Sequence, residues 1–240
     1  MNKLFVIFLF TSSLFPFLYA QNSDSVIIKL SSSELKAFRP NNQVMYDKKF
    51  SNPKSFYADL DKDGINEYLV IDSLKVSNNP FFSIYVYNCA DTFYLIDSIQ
   101  SGALSPYLEN SKEEGSNIII TGNIDFMQFN TDTNNYFLPI NCWRLKSDNI
   151  YLVNDDIYNL FIANNNDITD YMDDYFSTNP KNCSSSDKAK AAVASVYANY
   201  LSAGEKALAN QFLNNYYFCN DRIQFQQKLN EIMKGYIGEN

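Results

Sequence analysis

Asp59-Leu60-Asp61-Lys62-Asp63-Gly64-Ile65-Asn66-Glu67 runs directly into Tyr68-Leu69-Val70-Ile71. Carboxylates stand at positions 1, 3, 5 and 9 of this stretch, and glycine at position 6. A tight loop with that spacing turns every second side chain inward, so Asp59, Asp61, Asp63 and Glu67 converge as hard oxygen donors. The backbone carbonyl of Ile65, at position 7, offers a fifth, and water can complete the shell of a calcium ion at about 2.3–2.6 Å. Gly64 supplies the backbone freedom that a sharp turn needs. Without a cation, four carboxylates this close would repel one another. An ordinary acidic surface turn, the plainer reading, has no need of strict alternation. The expected ligand is Ca²⁺.

The loop is not an EF-hand, because position 12 is Val70, where an EF-hand places a bidentate glutamate. Glu67 to Asp72 is too β-branched and too short to open a helix, and Ser55-Phe56-Tyr57 precedes the loop. A strand-to-strand connection is therefore expected. With those flanks the stretch resembles the FG-GAP/VCBS repeat, whose calcium loops in integrin-like propeller blades read Asp-x-Asp-x-Asp-Gly-x-x-Asp before a hydrophobic strand. The resemblance covers roughly residues 55–97, and Glu67 stands where the family more often has aspartate. Propellers of this family repeat the unit around a ring, whereas this chain shows one good copy. The resemblance implies interaction at a surface or outside the cytoplasm, without naming a partner.

At the start of the chain, Lys3 is followed by an almost wholly apolar run from Leu4 to Leu18, then by Ala20. That is the pattern of a secretory signal peptide, residues 1–20, cleaved after Ala20. The alternative is an uncleaved membrane anchor, since Leu18 is not ideal three places before the cut. Pro16 and the shortness of the run weigh against a span. No later segment reaches membrane-spanning length, so the mature chain is expected to be secreted or periplasmic.

Loss of Lys3 with the leader takes the formal net charge from −8 to −9, with 27 acidic residues in the chain. No basic stripe is present to release counterions from a polyanion, so nucleic acid is excluded as a partner. Histidine is absent. Neither a Ser-His-Asp nor a Cys-His apparatus can be built, and no His-ligated zinc or haem. Tyrosine and phenylalanine are abundant, 18 and 19, and read first as half-buried sheet.

The mature chain divides into a β-rich region, 21–155, and a helical region, 156–240, and whether the two share one core stays open at this point. Residues 25–30 read as a first strand. Ser31 to Glu34 has capping-box spacing and is expected to open a short helix ending before Pro40. A short strand is expected at Gln43–Tyr46. Phe82–Tyr87 alternates as a strand, Phe93–Ile96 returns from it, and Ile118–Thr121 is a β-branched run of the buried kind. Asp91–Asp97 is similar to Asp148–Asn154 at an offset of 57 residues, each copy closing a hairpin. Ile118–Thr121 then takes the place of Tyr68–Ile71 in a second unit that lacks the acidic loop. The expected fold is α+β: one or two blade-like antiparallel units followed by C-terminal helices.

Helical periodicity begins at Asp167–Phe176, whose apolar face is opposed by Asp167, Asp170, Asp173 and Asp174. A second run covers Ala189–Leu201 and a third Lys206–Tyr217. A fourth, capped by Asn220, carries Phe225, Leu229, Ile232, Met233 and Tyr236 on one stripe. These stripes read as core.

Four cysteines behind a leader, Cys89, Cys142, Cys183 and Cys219, suggest two disulfides, with three connectivities possible. Cys183 precedes one helix of an expected antiparallel hairpin and Cys219 closes the other, which favours Cys183–Cys219 and leaves Cys89–Cys142. A four-thiolate zinc site lacks any Cys-x-x-Cys spacing.

The function expected is binding or structural: a secreted, non-catalytic calcium protein with a protein or glycan partner. Two alternatives stay open. One is a small hydrolase working with carboxylates, which would face each other about 5–9 Å apart across a cleft. The other is a helical C-terminal region that docks a partner through an exposed apolar patch.

Overall fold

Alternating side chains decide how the strands stack. The computed structural model describes residues 26–76, 79–90, 92–110, 116–130, 136–154 and 157–236. The leader expected at residues 1–20, and the boundary expected at 155/156, lie outside them. β1 (Ile27–Leu30), β2 (Glu34–Phe38) and β3 (Val44–Lys49) make a first antiparallel sheet. β4 (Lys54–Ala58), β5 (Glu67–Val76), β6 (Asn79–Asn88) and β7 (Tyr94–Gly102) make the middle sheet. β8 (Tyr107–Asn110), β9 (Asn117–Gly122), β10 (Ile140–Lys146) and β11 (Asn149–Leu152) make the third. Each sheet is a simple meander in which sequential strands pair.

The middle sheet is apolar on both faces because its strands carry apolar residues at odd and even places alike. Tyr68, Val70 and Tyr87 face one way and meet Leu35 and Ala37 of β2, with Phe50 and Phe93. Leu69, Ile84, Val86 and Ile99 face the other way and meet Ile119 and Leu145 of the third sheet. The third sheet turns its far side, Ile118, Ile120, Ile140 and Cys142, against Phe161 of α1 (Tyr158–Thr178). The layers therefore run first sheet, middle sheet, third sheet, helices.

The remaining helices are α2 (Cys183–Lys188), α3 (Lys190–Ser202), α4 (Lys206–Tyr216) and α5 (Arg222–Met233). From Ala191 to Asn199 every residue of α3 is buried. Its alanines let neighbours approach closely, and a helix without a polar face belongs inside. Leu138 and a 3-10 helix at Ile124–Phe129, both from the β-rich region, share this core through Leu138, Phe126 and Phe129. Asn199 ties helix to sheet: its Oδ1 accepts from the Ile140 N–H at 3.1 Å, and its amide donates to Asn164 and Asn165. Among the described residues no helix is long and apolar enough to cross a membrane.

Two expectations about the β-rich region need correction. The helix expected after Ser31 is strand β2. Ser31 Oγ does accept from the Glu34 N–H, at 3.0 Å, but there it closes the β1–β2 turn. A side-chain oxygen bonded three residues ahead serves a turn as well as a helix, and the Leu35/Ala37 alternation decides between them. The expected bridge Cys89–Cys142 is absent, both thiols being free. Cys89 packs on the side of the middle sheet that faces the first sheet, whereas Cys142 lies on the far side of the third. Stacked sheets sit about 10 Å apart, beyond the Cα separation of about 4.4–6.8 Å that a disulfide spans. Cys183 and Cys219 are bonded, with Cα atoms 4.5 Å apart.

Candidate metal centre

β4 and β5 pair as far as Ala58 opposite Glu67, and the chain between them must reverse within eight residues. Two residues take left-handed backbone to do so, Lys62 at φ 63° and Gly64 at φ 89°. Open space surrounds the position a Gly64 Cβ would occupy, so the dihedral alone calls for glycine there.

The turn gathers its carboxylates by giving each a backbone N–H. Asp59 Oδ2 accepts from Gly64, Asp61 Oδ1 from Asp63, and Asp63 Oδ1 from Ile65, at 3.1, 3.3 and 2.7 Å. Glu67 Oε2 accepts from the Leu60 N–H at 2.8 Å. One oxygen from each of Asp59, Asp61 and Glu67 lies within 4.8 Å of the others. Among the described residues this is the one cluster of three or more potential metal-ligating side chains.

Two features give the cluster its chemistry. Asp59 Oδ1 is buried without a hydrogen-bond partner. Leaving a buried polar atom unpaired costs about 1–3 kcal/mol, more if it is charged. Glu67 is 5 % exposed, and its carboxyl is pushed up to about 7. Burial is the main cause, the Leu60 N–H works against it, and the charges of Asp61 and Asp63 add to it. A divalent cation would satisfy the orphaned oxygen and offset the repulsion, and an all-oxygen donor set suits calcium. The residues present fit that ion.

Of the five predicted ligand residues, Asp59, Asp61 and Glu67 are brought together. Asp63 is exposed and stands outside the trio, its Oδ1 engaged by the Ile65 N–H. Ile65 is 45 % exposed.

Three residues that frame the loop were not singled out as such in the sequence. Leu60, between Asp59 and Asp61, is fully buried. Asn117 of the third sheet donates its side-chain amide to the Asp59 carbonyl at 2.8 Å. Cys89 donates its thiol to the Asn66 carbonyl at 3.0 Å. The alternation that turns Asp59 and Asp61 one way turns Leu60 the other, and that signal was available. Asn117 and Cys89 are distant in sequence and carried none. Asp167, Asp170, Asp173 and Asp174 on α1 are exposed. Comparison with family models, curated proteins and solved structures yields no match to this chain.

Proposed function

We propose that this is a secreted or periplasmic calcium-binding protein in which the ion is structural and no reaction is catalysed. One observation carries the reading: a buried, unpartnered carboxylate oxygen, Asp59 Oδ1, belongs to a residue grouped with two further carboxylates, Asp61 and Glu67. Asp59, Asp61 and Glu67 would hold the ion. Asp63 and the Ile65 carbonyl belong to the same ligand set by their positions in the loop. The Asp-x-Asp-x-Asp-Gly-x-x-Glu pattern and its FG-GAP/VCBS resemblance support the choice of calcium and a role in interaction with a protein or glycan. The apolar Leu4–Leu18 run supports export, and millimolar calcium outside the cell matches the weak affinity, about 10⁻⁴–10⁻³ M, of extracellular modules.

The test is thermal unfolding of the leaderless protein in excess EDTA and in saturating calcium. At about a hundredfold excess over Kd, linkage adds about 2.7 kcal/mol. For a domain of this size that raises Tm by about 5–10 °C. Asp59→Ala abolishes the rise. Identical melting in EDTA and calcium would sink the proposal.

A further inference from the structure

The acidic loop is attached to more than the sheet it belongs to. Leu60 sits at position 2, between Asp59 and Asp61, and is 0 % exposed. Its side chain enters the core between the middle and third sheets, with Leu69, Ile84 and Val86 from one side and Ile119 and Leu145 from the other. Its N–H is the group bonded to Glu67. Across the same junction, Asn117 holds the Asp59 carbonyl.

Register gives Asn117 a particular meaning. Glu67 is the residue of β5 paired with Ala58 at the closed end of the first hairpin, and Asn117 is the residue of β9 paired with Asn110 at the equivalent end. Where the middle sheet carries a ligand, the third carries an amide that reaches over to the neighbouring loop.

We propose that loop 59–67 is a calcium-operated clasp between the middle and third sheets. Cation binding and sheet docking form one coupled equilibrium, transmitted through Leu60 and Asn117; this rests on the calcium reading above. The backbone that aims Asp59 and Asp61 at the ion is the backbone that seats Leu60 in the inter-sheet core. Fixing one fixes the other. Coupling of this kind is reciprocal, so whatever loosens the junction weakens calcium by the factor that calcium tightens the junction.

A native reporter is in place. Trp143, the one tryptophan, lies on β10 against this inter-sheet core, with its indole N–H on Thr121 Oγ1 at 2.8 Å. Calcium is titrated calorimetrically into the leaderless wild type, Asn117→Ala and the milder Leu60→Val, with Trp143 emission followed in parallel. Asn117→Ala is expected to weaken calcium about three- to tenfold, the worth of one hydrogen bond. Leu60→Val weakens it in the same direction, and wild-type Trp143 emission shifts on calcium saturation. Wild-type affinity in both variants, or emission indifferent to calcium, overturns the clasp and leaves the calcium site standing. No binding heat in the wild type up to about tens of millimolar calcium, well above the extracellular range, overturns both.

Discussion

The middle and third sheets are one meander built twice, and they differ at the first hairpin. Both run as four sequential antiparallel strands, both bury β-branched residues on two faces, and both turn at a paired residue, Glu67 or Asn117. In the middle sheet the turn concentrates negative charge around a buried, unsatisfied oxygen. In the third, the residue at the equivalent place is neutral and its hydrogen bond goes to the neighbour. Sheet architecture therefore does not require the acidic loop. The loop belongs to one of two sheets that share this strand order, and its energetics have to be sought in what it holds together.

The strongest way to break that comparison is Leu60→Ala. If the loop were an ornament on the middle sheet, the change would cost no more than an exposed loop substitution. Buried among residues of both sheets, it should instead cost about 2–5 kcal/mol in urea unfolding.

A second test uses pH. The Glu67 carboxyl, raised from 4.5 to about 7, keeps a proton in the folded chain that the unfolded chain has released. Between those values the folded state binds more protons than the unfolded, so stability in EDTA should fall as pH rises through the window. The contribution is fully present below the unfolded value and lost above the folded one. Calcium competes with that proton and should remove or reverse the slope; Glu67→Gln should flatten it in EDTA. Urea midpoints at about pH 5 and pH 8 decide the matter, and a midpoint in EDTA that rises with pH would contradict the burial of Glu67.

The smallest expected effect separates members of the loop from each other. Asp63→Asn should weaken calcium by less than about tenfold, a loss below about 1.4 kcal/mol, because Asp63 stands at the edge of the ligand set with its Oδ1 held by the Ile65 N–H, and Asp61→Asn should weaken it by more. Calorimetry on the two variants checks the ranking, and equal losses would place Asp63 in the trio.

Much of the fold was legible because its signals are local. The β-branched runs at Tyr68–Ile71 and Ile118–Thr121 lie within β5 and β9, and α1 stops at Thr178, just before Asn179-Pro180, which cannot continue a helix. The separate runs expected at Ala189–Leu201 and Lys206–Tyr217 are α3 and α4, parted at Gly204 with φ 76°. Tyr94–Ile96 and Tyr151–Leu152, from the two similar segments, fall in β7 and β11, the last strand of each meander. What escaped was non-local or ambiguous. Tyr107–Asn110 is short and half polar, and becomes strand β8 only by pairing with β9. α1 begins at Tyr158, well before the amphipathic stretch that announced it. Asn220 was expected to cap the last helix; Asp221 holds that place without a side-chain cap, its Oδ1 accepting from the Tyr217 hydroxyl. At the site, the carboxylate spacing was readable, but Asn117 reaches Asp59 across 58 residues, and nothing within either segment encodes the meeting.

The two unpaired thiols are placed so that the molecule carries its own pair of clocks. Cys89 is half-buried, and its thiol donates to the Asn66 carbonyl, the last before Glu67. Cys142 is 0 % exposed between the third sheet and α1, where burial pushes the thiol up to about 12. Alkylation needs both access and the thiolate. Labelling at Cys89 thus reports how open the loop end is, and labelling at Cys142 times the parting of sheet from helix. Run side by side, the two rates separate a loop that breathes from a layered core that comes apart.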